Sequence, residues 1–130
     1  MIYLDASALV KLVVLEPESD ALIALIRAWP DRLSSALSLA EVQRALRRER
    51  YGGAERRRAQ RLFARLALVE VDRRILTAAA ALDPPELRTL DAIHLATALA
   101  VGEDLRGLVT YDRRLAAAAE RVDLEVLAPA

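Results

Sequence analysis

Four acids in this 130-residue chain stand against apolar sequence. Asp5 closes MIYLD, Glu41 lies in LSLAEVQRAL, Asp91 in RTLDAIHLATALA, and Asp112 ends LVTYD. The only histidine, His94, follows Asp91 by three residues. Carboxylates gathered in one cleft suit a hard divalent cation, since Mg²⁺ and Mn²⁺ take oxygen ligands and keep several waters. Carboxylates scattered over helix starts need no cation, because each complements a helix dipole by about 0.3–1 kcal/mol. Glu41 has a strong capping reading, with Ser38 at capping-box spacing, and Asp72 is read as a cap outright. Asp5 fits a cap less well, because an acid between an apolar strand and Ala-Ser stands where the chain would bury it. Two carboxylates about 4 Å apart repel by about 4 kcal/mol at an effective dielectric near 20, so four in one cleft call for a cation. Spacing alone leaves both readings open.

The elements that carry the acids narrow the choice. Met1–Leu4 reads as a buried strand and Ala6–Leu15 as a helix. Pro17 restarts a helix that runs to about Trp29, with Glu18 and Asp20 in its first turn. Arg32–Ala36 is a weak strand candidate, followed by the helix of Glu41, which Gly52-Gly53 stops. A second arginine-rich helix spans Ala54–Ala67, then a strand Leu68–Val71 and a helix Arg73–Leu82 behind Asp72. After a turn at Asp83-Pro84-Pro85 come a helix from Leu90 to about Val101 and a strand Leu108–Thr110. Asp112 starts a short helix, and Leu124–Leu127 is the last strand. Short apolar strands without alternation, each followed by helix, predict a parallel sheet covered by helices on both faces. The expectation is one α/β domain over residues 1–130 with four to five strands. Ligands bind such sheets at the C-terminal strand edge. Topology carries Asp5, Glu41 and Asp112 there, and Asp91 as well if its helix starts at that edge.

Composition excludes several classes. Apolar residues make up 55 % of the chain, too many for a disordered segment. With no cysteine there is neither a disulfide framework nor a thiolate metal site. MIYLDASALV lacks the basic lead and cleavage signal of a secretory leader, and no apolar stretch is long enough to span a membrane. A soluble, cytoplasmic protein is expected. The net charge of zero hides an imbalance: Ala36–Glu70 holds nine arginines against four glutamates, a local +5 that leaves −5 on the rest. Such a block suits a phosphate backbone or an acidic partner, and equally a solvated helix surface.

Four blocks, MIYLDASALVKL, LSLAEVQRAL, RTLDAIHLATAL and LVTYDRRL, together resemble the PIN-domain ribonucleases over the whole chain. Within that family the resemblance is to the VapC toxins of bacterial toxin–antitoxin pairs. It implies a single PIN-like domain and a Mg²⁺- or Mn²⁺-dependent endoribonuclease that hydrolyses RNA phosphodiester bonds. It also implies a homodimer and a cognate VapB-like antitoxin whose C-terminal segment enters the cleft. Carried over residue by residue, Asp5, Glu41, Asp91 and Asp112 become the catalytic, metal-ligating acids. Ser7 and Thr110 become supporting hydroxyls. Leu115 occupies a region where the family often has Phe, a departure that leaves the metal reading intact.

The resemblance leaves His94 and the arginines to be weighed on their own. An oxygen-ligated Mg²⁺ site has no need of imidazole, and the helix around His94 is apolar nearly all round, so a structural, hydrogen-bonded histidine is expected. A general base one turn from Asp91 is the alternative. Arg44, Arg47, Arg48 and Arg88 are candidates for holding an RNA backbone, a positioning role without sequence information. Arg88 fits an ion pair with a nearby acid equally well. A haloacid-dehalogenase-like enzyme would need a second acid where Ser7 stands, and a receiver domain a late lysine, whereas the sole lysine is Lys11. A PIN-like module that binds RNA or an antitoxin without turnover remains the second reading. Apolar surface in Ala21–Trp29 and Leu62–Leu66 suits antitoxin contacts or core packing alike.

Overall fold

Three apolar residues, Ile2–Leu4, form the central strand β1, and none of the three has any exposed surface. The structure, a computed structural model, describes all of residues 1–130. After β1 the chain forms α1 (Ala6–Val13), α2 (Ser19–Ala28), β2 (Arg32–Ser35), α3 (Leu37–Arg48) and α4 (Gly53–Phe63). It continues through β3 (Ala67–Val69), α5 (Arg73–Ala80), α6 (Thr89–Val101), β4 (Gly107–Val109), α7 (Arg113–Arg121) and β5 (Val126–Leu127). The five strands form one sheet in the order β3-β2-β1-β4-β5, every pairing parallel. No helix is long and apolar enough to cross a membrane.

Strand alternation explains why the strands read as continuous apolar runs. Ile2 and Leu4 join Val109 in a core with Leu9 and Val13 of α1, Leu22 and Ile26 of α2, and Val42 and Leu46 of α3. Tyr3 points the other way, into a second core with Leu33, Leu95 of α6, Leu108 and Leu115 of α7. A strand covered on both faces has no side for polar residues. α6 shows the same effect: Ala92–Ala98 are all buried, which matches its lack of an apolar stripe. Gly102, at φ +78°, ends α6 in a conformation that strains L side chains.

The sheet order fixes the site. From β1 to β3 the chain moves outward on one side, and the α5–α6 crossover then returns it to the other side of β1. The reversal makes the β1–β4 junction a topological switch point, where the C-terminal strand edge opens a crevice. Two element boundaries differ from expectation. α2 starts at Ser19 rather than Pro17, because Ser19 Oγ accepts from the Glu16 amide at 2.9 Å and donates to Lys11 O at 2.7 Å. α4 ends at Phe63, since Ala67 already pairs with Leu33 in the sheet.

Candidate active site

Asp5 leaves β1 at the switch point and caps α1, its Oδ1 accepting from the Ala8 amide at 3.0 Å. Capping is only part of its surroundings. Ser7 Oγ donates to Oδ1 and Thr110 Oγ1 to Oδ2, each at 2.6 Å. Three donors thus hold a carboxylate that is only 3 % exposed. Burial pushes the Asp5 carboxyl above its ordinary value, while the Ser7, Thr110 and Ala8 donors pull it back. The same hydroxyls tie β1 to the end of β4: the Tyr111 amide donates to Ser7 Oγ at 2.9 Å and the Asp112 amide to Thr110 Oγ1 at 3.0 Å.

Asp112 caps α7 through Oδ1, which accepts from the Arg114 amide at 2.8 Å and the Leu115 amide at 3.1 Å. Its Oδ2 is left without a protein donor. Asp91 lies in the first turn of α6, half-buried, and no protein donor meets either of its oxygens. Burial raises its carboxyl above the ordinary value and the Asp112 carboxylate raises it further; His94 pulls it back, and Asp5 and Glu41 push it up again by less. Mutual effects of this kind mark the acids of four distant segments as neighbours at one strand edge.

Glu41 is where the sequence reading needs correction. α3 begins at Leu37, so Ser38 is inside the helix and Glu41 lies beyond its first turn. Ser38 makes no capping box; its hydroxyl pairs with Ser34 Oγ at 2.8 Å, and Ser34 Oγ donates to Leu4 O at 2.6 Å. Glu41 Oε1 instead meets His94 Nε2 at 2.5 Å, and His94 Nδ1 meets the Tyr3 hydroxyl at 2.6 Å. His94 is 2 % exposed, more deeply buried than its sequence context suggested. Burial, with Asp5 adding to it, holds the Tyr3 phenol far above its ordinary range. Sequence reasoning missed Tyr3. The available signal was one polar-tipped aromatic in an otherwise aliphatic strand, on the face opposite Ile2 and Leu4.

The arginine block divides. Arg44 and Arg48 line a cleft with Ser7, Glu41 and Leu90. Arg58, Arg61 and Arg65 instead line a groove between α2 and α4, with Arg27 and Arg32 opposite. Arg47 is exposed on α3 and lines neither. Arg88 is exposed at the start of α6 and forms no ion pair; the ion pairs are Lys11 with Glu16 and Glu18, Arg48 with Glu49, and the His94–Glu41 contact.

Donor chemistry at this edge fits a hard cation, with unpaired oxygens on Asp91, Asp112 and Glu41 and no sulfur in the chain. The cage is open: no three acidic or histidine side chains stand close enough together to enclose a metal ion. A Mg²⁺ ion keeps several waters, so it would reach part of such a ligand set through them.

A parallel α/β sheet with carboxylates at its switch point defines the class. The PIN domain family matches residues 2–121. Over 128 residues the chain is 53 % identical to Ribonuclease VapC46 of Mycobacterium tuberculosis, covering 98 % of this chain and 97 % of that one. It is 47 % identical over 133 residues to Ribonuclease VapC35 of the same organism, with 99 % and 97 % covered. Among solved structures, a toxin–antitoxin complex from Klebsiella pneumoniae superposes with a TM-score of 0.75 at 21 % identity, covering 100 % of this chain and 98 % of that one. The chain belongs to the PIN domain family, in its VapC branch.

Proposed function

We propose that this chain is a Mg²⁺- or Mn²⁺-dependent endoribonuclease and the toxin of a VapBC-type pair, acting in the cytoplasm on tRNA, rRNA or mRNA. The observation that carries the reading is Asp91, a half-buried carboxylate without a donor whose charge three other carboxylates oppose. An arrangement that costs stability without a cation is what a cation site needs. The four acids would hold the cation between them, directly or through water. When bound, it supplies polarisation of the phosphoryl oxygen, a lowered water pKa and neutralisation of developing charge.

The chain's own groups do the rest. Ser7, Thr110 and the Ala8 amide fix Asp5 in one orientation, and the α7 amides fix Asp112. Arg44 and Arg48 flank Glu41 in the cleft and would grip the backbone phosphates beside the scissile bond. Arg47 and Arg88, exposed nearby, would extend that contact. The α2–α4 groove, with Ile23, Ile26, Leu62 and Leu66 on its floor and five arginines around it, suits an acidic amphipathic segment of an antitoxin. Exposed Leu76 and Leu99 supply apolar surface for a homodimer.

Purified chain should cleave RNA in Mg²⁺ or Mn²⁺, stop on chelation, and lose activity in Asp5→Asn. The open spacing of the acids favours one other reading, a binding module without turnover. RNA binding that persists with no metal-dependent cleavage would establish that reading and sink the nuclease.

A further inference from the structure

Glu41 is aimed by a buried chain of side chains from three elements. Tyr3 of β1 and His94 of α6 are 91 residues apart, and His94 and Glu41 of α3 are 53 apart. The two rings stand edge to face at 73°, centroids 5.9 Å apart. An ionised carboxylate only accepts, so His94 Nε2 carries the proton in its 2.5 Å bond to Glu41 Oε1. The Tyr3 hydroxyl has no exposure; its short hydrogen bond is to His94 Nδ1 at 2.6 Å, and the Ser35 amide and Ser34 hydroxyl also approach it. The Ser35 amide can only donate, and Ser34 Oγ gives its own hydrogen to Leu4 O and pairs with Ser38, so the Tyr3 hydrogen goes to Nδ1, which must then lack a proton. Together the two bonds select the neutral Nε2–H tautomer.

We propose that Tyr3 and His94 are positioning residues for the nuclease reaction: Tyr3 fixes the tautomer of His94, and His94 pins one oxygen of Glu41 so that the other faces the cleft. The proposal rests on the metal-nuclease reading above. Glu41 borders the cleft with Ser7, Arg44 and Arg48, and its side chain keeps 22 % exposure while its pinned oxygen faces the core. A free glutamate has three side-chain torsions to order when a cation arrives. Here that ordering is done in advance. The gain falls on cation affinity and turnover, not on the grip on RNA. An imidazole that donates one nitrogen to a carboxylate and is itself held at the other is a familiar outer-shell device at metal sites.

The single histidine makes the test direct. In ¹⁵N NMR of the metal-free protein, His94 should show one protonated and one unprotonated nitrogen, the Nε2–H pattern. Tyr3→Phe should mix the tautomers, and Mg²⁺ should shift the Nε2 signal in wild type but not in Glu41→Gln. In cleavage assays, Tyr3→Phe and His94→Leu should raise the Mg²⁺ midpoint or lower kcat by about 10–100-fold, with KM for RNA unchanged. His94→Gln, whose amide still donates toward Glu41, should recover most of the loss. A tautomer mixture in wild type overturns the proposal. So do wild-type Mg²⁺ midpoints and kcat in both Tyr3→Phe and His94→Leu, each shown folded by its thermal melt. If wild type cleaves no RNA, the nuclease reading fails alone. The Nε2 response to Mg²⁺ then still decides whether His94 holds Glu41 toward a cation, and a silent Nε2 overturns that.

Discussion

Asp72 and Asp112 do the same local job in different places. Each follows a strand, adopts extended backbone and caps the next helix, Asp72 through the Ile75 amide at 2.9 Å and Asp112 through the Arg114 and Leu115 amides. Their strands differ in position. β3 ends the sheet on one side, whereas β4 pairs with β1 beside Asp5. Asp72 is exposed, whereas Asp112 is partly buried and opposes the charge of Asp91. The comparison teaches that local sequence decides whether an acid is a cap. Sheet order decides whether a cap also belongs to a site.

The largest expected effect separates the two on activity. Asparagine caps a helix about as well as aspartate, so an Asp→Asn change removes charge and keeps the cap. Asp112→Asn should lower metal-dependent RNA cleavage by about 100-fold. Asp72→Asn should leave it unchanged. Initial rates on a short quenched RNA in Mg²⁺ measure both, and equal rates in the two variants would break the comparison.

Alanine reverses the emphasis by deleting the cap. Asp72→Ala should lose about 1 kcal/mol, or about 4 °C in metal-free melting temperature for a chain of this size. Asp112→Ala loses the same cap but also relieves Asp91 of its strongest opposing charge, so it should fall less. Thermal melts in chelator rank them; Asp112→Ala falling further than Asp72→Ala would mean that the Asp91–Asp112 repulsion is negligible.

Asp91 sharpens the contrast because it has no capping role to lose. Asp91→Asn should raise the metal-free melting temperature by about 2 °C. Mg²⁺ should stabilise wild type more than the variant, since a cation that binds only the folded state adds stability by mass action. Melts with and without Mg²⁺ test both statements. A variant that melts lower than wild type in chelator would return Asp91 to the ordinary acids of helix first turns.

Much of this arrangement was legible in the sequence because it is local. Asp5 and Asp112 sit at strand-to-helix junctions that apolar runs and cap residues mark, and the parallel sheet follows from strands covered on both faces. Glu41 was legible as a candidate site acid, but its partner His94 was not. Ser38 has capping-box spacing, yet the helix starts one residue before it and Ser34 takes its hydroxyl, which no spacing rule detects. The burial of His94 could be inferred from its apolar helix. Its link to Tyr3 could not, because parallel-sheet topology brings together residues far apart in the chain. The division of the arginines was hidden for a similar reason: α3 and α4 carry one continuous basic block in sequence and turn its halves toward different grooves.

The smallest effect is a pH dependence that again sets Asp112 apart from Asp72. Folding raises the Asp91 carboxyl above its ordinary 3.8, so the folded state holds that proton more tightly than the unfolded chain. Stability then falls as pH rises through the window between the unfolded and folded values, because the unfolded state releases the proton first. Below pH 3.8 wild-type Asp91 is protonated in both states and resembles asparagine. The melting-temperature difference between Asp91→Asn and wild type in chelator should therefore start near zero in acid and grow as pH rises toward neutrality. Using that difference cancels the titration of carboxylates common to both proteins. Repeating it in an Asp112→Asn background removes the strongest of the charges acting on Asp91, so the growth with pH should shrink. An Asp72→Asn background should leave it intact, since Asp72 is not among those charges. If both backgrounds shrink it equally, the repulsion is a property of the whole surface and not of the β1–β4 edge.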